Sequence, residues 1–102
     1  MILDKQAQEI FDSNINMMVP WYLMAAHTYY KDDDPILSDQ FFDNMSKVML
    51  DKWDEINHFH KHLIGTMDLV AGTYLGEYPE RVKGGLEDLR ERNTPKRRRR
   101  RR

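Results

Sequence analysis

The run Asp32-Asp33-Asp34-Pro35 lies between the two longest helical patterns in the chain, and it constrains the fold more than any other segment. Three adjacent carboxylates repel one another in a compact arrangement, and the residue before a proline avoids helical backbone geometry. A loop is therefore expected here, with a helix on either side. Upstream, Asp4 is placed to cap a first helix whose apolar positions Ala7, Ile10, Phe11, Ile15 and Met18 recur every three or four residues. Pro20 sets its end near Val19 and suits the first turn of a second helix, so the pair is expected as one nearly continuous, kinked rod. Trp21, Tyr22, Met24, Ala25 and Tyr29 give the second helix an apolar side.

Downstream of the loop, Ser38 is a good N-cap, with Asp39 favourably placed in the first turn. Phe42, Met45, Met49, Trp53, Ile56, Phe59 or His60, and Leu63 then share one face. That stripe predicts a helix of about seven turns, closed by Gly65. Met67 to Ala71 suits a short helical segment, and Pro79 opens a last helix with Val82, Leu86 and Leu89 on one side. Gly84 and Gly85 weaken it by about 1 kcal/mol each relative to alanine. Trp21, Tyr74, Tyr78 and the methionines are assigned to the core.

No segment alternates as a strand would, and there is no internal repeat. The expected fold is all-α: a small helical domain over residues 1–93, with a helical hairpin around an acidic loop, followed by a disordered basic tail over residues 94–102. At 102 residues, 40% of them apolar, the chain supports one modest core and has no room for a self-contained multidomain enzyme. The absence of cysteine excludes a disulfide framework, a thiolate metal site and a thiol nucleophile, so binding falls to His, Asp, Glu, Tyr and the backbone. The most apolar stretch, Met17 to Ala26, is too short to span a bilayer, and no signal-peptide pattern precedes it. A cytoplasmic protein with no membrane partner is expected.

The segment Tyr29-Tyr30-Lys31-Asp32-Asp33-Asp34-Pro35-Ile36-Leu37-Ser38-Asp39-Gln40-Phe41-Phe42-Asp43 resembles the N-terminal Ia subdomain of NAD-dependent DNA ligases. That family reads Tyr-Tyr or Tyr-His, then Asp-x-Pro-x-Ile-Ser-Asp, two residues and Tyr-Asp. Tyr29, Tyr30, Asp33, Pro35, Ser38, Asp39 and Asp43 match, and Phe42 stands where the family has tyrosine. The resemblance implies that Tyr29, Tyr30, Asp39, Phe42 and Asp43 hold NAD or its nicotinamide mononucleotide half. The tyrosines would offer ring faces to a flat cation, and the aspartates would accept hydrogen bonds from ribose hydroxyls or the carboxamide. Phe42 lacks the hydroxyl, which weakens such a site by about 0.5–1.5 kcal/mol if that group touches the ligand. No Lys-x-Asp-Gly adenylation motif is present, and the ligase's nucleotidyltransferase core, OB fold, zinc module and helix-hairpin-helix region cannot fit in this length, so no catalytic residue is assigned. Read without the resemblance, the same residues also suit a plain helical hairpin, with Tyr29 and Phe42 in the core, Ser38 as cap, Pro35 in a turn and the aspartates solvated.

Asp54, Glu55, His58, His60 and His62 have ligand-like spacings, and two His with an Asp could hold a divalent cation, but Glu55-x-x-His58 occurs once, whereas a di-iron bundle needs that pair twice. On a continued helix His58 and His62 form a solvated stripe above Asp51 and Asp54, His60 sits at the edge of the apolar face, and no metal is expected. No glycine-rich phosphate loop is present.

The formal net charge of -1 conceals a split, because Lys96, Arg97, Arg98, Arg99, Arg100, Arg101 and Arg102 leave nine basic against seventeen acidic residues in 1–95, a net of -8. Arginine forks match phosphate oxygens, so this tail is expected to contact nucleic acid or another polyanion. Full engagement would give a log-log salt slope of about -5 to -6. A localisation signal, an intramolecular partner for the acidic body, or residues appended to a natural chain are the competing readings. The expected function is a non-catalytic accessory or binding module of DNA metabolism with a protein partner there, of a kind that suits a phage or other compact genome. The alternatives are a structural or interaction protein, such as one of a virion, and the adenylation partner of a split ligase.

Overall fold

The computed structural model describes residues 2–32, 34–71, 74, 76 and 78–93. Among these are five α-helices and no strand, as the all-α reading expects. Helix α1 (Asp4–Ser13) buries Ala7 and Phe11 and stops well short of Val19. The break is set by Asn14 and not by Pro20: its backbone is extended, and its side chain accepts a hydrogen bond from the Asn16 amide at 3.1 Å, starting a 3-10 turn over Ile15–Met17. Asparagine competes for the backbone in this way and so ends helices. The expected kinked rod is therefore two helices with a sharp break.

Pro20 lies in the first turn of α2 (Met18–His27), where its missing N–H has no intrahelical partner to lose. Eight residues of α2 are buried, from Met18 through Ala26, so this helix is apolar on nearly every side rather than one. A helix of that kind belongs at the centre of a core. Helix α3 (Asp39–Asp51) and helix α5 (Glu80–Arg92) pack directly on α2, and α4 (Thr66–Ala71) packs on α3. Phe11 reaches both neighbours, edge-on to Trp21 at 6.1 Å and tilted against Phe41 at 6.2 Å.

After α2 the chain makes a π-type turn over Thr28–Asp32. The buried Thr28 hydroxyl donates to the Ala25 carbonyl at 2.8 Å and accepts from the Ile36 amide at 3.3 Å, and the Asp34 amide donates to the Thr28 carbonyl at 3.1 Å. The loop is thereby folded back so that Ile36 and Leu37, just beyond the acidic run, enter the core. Ser38 caps α3 as expected, its Oγ accepting from the Phe41 amide at 3.2 Å. Asp4 does not cap its own helix, since Leu3 occupies that position with no side-chain cap. Its carboxylate instead accepts from the Ser38 amide at 2.9 Å and from the Ser38 hydroxyl at 2.6 Å. Beside this pair the Leu3 amide donates to the Ile36 carbonyl at 2.6 Å.

The expected seven-turn helix ends at Asp51. Asp51, Asp54 and Glu55 put negative charge where a helix terminus is already negative, which disfavours continuation. The chain goes on through short 3-10 turns at Trp53–Glu55 and Lys61–Leu63. Ile56 is extended and fully buried, the Asn57 amide donates to Asn16 Oδ1 at 2.8 Å, and Lys61 Nζ donates to the Trp53 carbonyl at 2.6 Å while lying 4.9 Å from the Trp53 ring. Gly65 then precedes α4 instead of ending a helix, its amide bound to Asp68 Oδ2 at 2.9 Å. The Tyr22 hydroxyl donates to the Asp68 carbonyl at 3.2 Å, joining α2 to α4.

Helix α5 follows Pro79 and buries Val82, Leu86 and Leu89, as the spacing predicts. The tail cations, Lys96 to Arg102, lie outside the described residues. No helix among the described residues is long and apolar enough to cross a membrane. A Cβ added at Gly84 would meet no atom within 4 Å, so the helix-propensity penalty of this glycine is removable without a clash. Gly84→Ala is expected to stabilise the protein by about 1 kcal/mol, raising the thermal midpoint by roughly 4–8 °C in an unfolding scan.

Candidate functional site

The loop staples set the spacing between the C-terminal end of α2 and the start of α3, and a cleft of about 190 Å³ lies between them. Tyr29, Tyr30, Asp39, Phe42 and Asp43 all line it. Ala25, Pro35 and Leu37 complete its walls. Tyr29, which the helical pattern assigns to an apolar side, is 51% exposed, and Tyr30 is 40% exposed. Their rings meet edge to face at 4.9 Å, so they present two differently oriented aromatic surfaces.

Asp39 and Asp43 are one turn apart on the exposed side of α3. Asp43 is paired with Lys47 at 3.2 Å in an exposed contact of the kind that a ligand can exchange at small cost. Phe42 faces both ways: it lines the cleft and stacks on Tyr22 at 4.9 Å with the rings 20° apart. Burial pushes the Tyr22 hydroxyl far up from its ordinary value, so it stays protonated beneath the cleft. The Ser46 hydroxyl donates to the Phe42 carbonyl at 3.0 Å and fixes that turn of α3. Two ring faces beside two carboxylates suit a flat, cationic ring that carries hydrogen-bond donors. Among the described lining residues the polar side chains are those of Tyr29, Tyr30, Asp39 and Asp43.

Two contributors are not legible from local sequence. Arg90 donates to the Asp34 carbonyl at 3.0 Å and approaches its carboxylate at 3.7 Å, so α5 anchors the far side of the acidic loop. Asp4 supplies the contacts to Ser38 described above. Each is separated in sequence from the residue it binds by more than thirty positions, and no spacing rule reports it. Asp33, part of the matched motif, lies outside the described residues.

The histidines do not form a helical stripe, because α3 ends before them. His58 Nδ1 accepts from the His60 amide at 3.0 Å, and His62 Nδ1 lies 3.0 Å from the Phe59 carbonyl, so both rings close their own turn. His60 is buried, as its position at the apolar edge predicts, and its Nδ1 has no hydrogen-bond partner among the described residues. Among the described residues no three His, Cys, Asp or Glu side chains are grouped to hold a metal ion. The chain matches no protein-family model, no curated protein and no solved structure.

Burial holds the pKa of both His58 and His60 below the ordinary 6.5, with His60 adding to the effect at His58, and Arg81 and His62 adding to it at His60. The unfolded chain then takes up protons first as the pH falls. Stability from this turn is complete above about pH 6.5 and declines below it until the folded-state groups titrate. Urea unfolding between about pH 7.5 and pH 5 is expected to show this loss, and His60→Gln should flatten part of it. An identical pH slope in the variant contradicts the assignment.

Proposed function

We propose that this chain is a non-catalytic binding module of DNA metabolism whose cleft takes the nicotinamide mononucleotide half of NAD, as its resemblance to the ligase Ia subdomain implies. One observation carries the reading: the five residues singled out by the motif line a single cleft. In this reading the cationic pyridinium rests against Tyr29 and Tyr30, and the ribose hydroxyls or carboxamide donate to Asp39 and Asp43. The volume of about 190 Å³ is below the roughly 300–1,000 Å³ of a typical small-molecule pocket and favours the mononucleotide over the whole dinucleotide. Adenylation would need a lysine from outside residues 1–102. The seven cations at residues 96–102 support a second contact, to nucleic acid or another polyanion.

The stack of Phe42 on Tyr22 favours a second reading, in which the hairpin is a scaffold of a structural or interaction protein, such as one of a virion, and the tail holds nucleic acid. Calorimetric titration with nicotinamide mononucleotide separates the two. Saturable binding is expected, with Asp39→Ala weakening it by about 10-fold or more, the value of one hydrogen bond to a charged group. Tyr29→Ala should weaken it too, the reduced and uncharged-ring form should bind less tightly than the oxidised one, and Phe42→Tyr should bind more tightly. Both Asp39 and Tyr29 are exposed, so these substitutions leave the core intact. Absence of binding at millimolar ligand leaves the scaffold reading.

A further inference from the structure

A second and larger cavity, of about 580 Å³, opens between α1, α2, α5 and the turn at 58–60, and it shares no lining residue with the nicotinamide cleft. Its floor is apolar, formed by Ile10 and by the largely buried Trp21, Met24, Val82 and Leu89, while Gln6, His58 and His60 add polar groups to the lining. The methionine wall is flexible and polarizable and can fit itself to different apolar shapes. Gly85 forms part of the α5 side, where a Cβ would sit in ordinary contact with Met24 Sδ at 3.8 Å and a longer side chain would project into the groove.

The charge at this site runs opposite to that of the rest of residues 1–95. Among the described residues the lining includes Arg81 and Arg92 and no carboxylate, although Asp88 lies just outside it beside Arg92, within a segment whose net charge is -8. The two arginines are eleven residues apart, about 16 Å along the axis of α5, with Val82, Gly85 and Leu89 between them. Arg92 pairs with Asp88 at 3.1 Å in an exposed i,i+4 contact, which is weak enough to exchange for a ligand anion. Arg81 makes no ion pair among the described residues and is near enough to His60 to depress its titration. Phe59, 77% exposed, stands at the rim as an aromatic side chain available to cover an occupant.

We propose that this groove binds a linear amphiphilic carboxylate, its chain laid along α5 against the apolar wall and its anionic head held by one of the two terminal arginines. The volume falls within the range of about 300–1,000 Å³ usual for small-molecule sites, and the pattern of apolar walls with a few placed polar groups is the usual one. This inference is independent of the nicotinamide reading, since the two sites have no residue in common.

The test uses the full chain with three probes: laurate, dodecanol, and butyrate as a control for attraction to the arginine tail. Laurate is expected to bind saturably, shifting the NMR signals of the Trp21 indole and the Met24 methyl. Dodecanol should bind at least tenfold more weakly, and butyrate should leave those signals unmoved. The surface double variant Arg81→Glu, Arg92→Glu should lower laurate affinity by tenfold or more without changing dodecanol affinity. Gly85→Leu, which fills the groove, should abolish both. Equal affinity for laurate and dodecanol, shifts confined to other residues, or unchanged laurate binding in the double variant would each overturn the proposal. So would self-association through the same signals without laurate binding, which would make the groove an interface between copies.

Discussion

A short chain of hydrogen bonds from Asp4 through Ser38 to the Phe41 amide holds the rest of the site in place. Asp4 accepts twice from Ser38, and Ser38 in turn caps α3. Hydrogen bonds to a charged group are worth about 1.5–3 kcal/mol each, appreciable against the roughly 5–15 kcal/mol by which a domain of this size is stable. The pairing joins the first turn of α1 to the first turn of α3 across the loop. It therefore fixes where Asp39 and Asp43 begin their climb along α3. With the Leu3 to Ile36 bond beside it, it also brings Ile36 and Leu37 into the core.

The other side of the cleft depends on α2. Because that helix is buried on nearly every side, its position is set by α3 and α5 together, with Phe11 of α1 against Trp21, and its last turn leads directly into Tyr29 and Tyr30. Thr28 converts that placement into loop geometry, since one buried hydroxyl both ends the helix and holds the Ile36 amide. Arg90 then ties the acidic loop to α5. The cleft is thus a product of packing as much as of the residues that line it.

Local signals were sufficient where the physics is local. Ser38 as a cap, Pro20 in a first turn, Pro79 before α5 and the Val82, Leu86, Leu89 face are each decided by neighbours within a turn, and each is found where the spacing places it. The five cleft residues all lie within one fifteen-residue segment, and they converge because that segment is itself the hairpin. Periodicity failed where a long-range partner intervened. The apolar stripe through Ile56 is real, for Ile56 is fully buried, yet it is reached by an extended chain held by Asn16 and not by a continuing helix. Asp4 has the chemistry of a cap, but Ser38, thirty-four residues away, binds its carboxylate. The groove beside α5 has no sequence signature, since its walls come from four separate segments.

The central claim is that Asp4 and Ser38 act as one unit. A double-mutant cycle with Asp4→Ala and Ser38→Ala, measured by urea unfolding, tests it most directly. The structure predicts a coupling of about 1–2 kcal/mol, within the range seen for residues sharing a hydrogen-bond network. Additive effects, with a coupling below about 0.3 kcal/mol, would show that the two act independently and that something else positions the cleft.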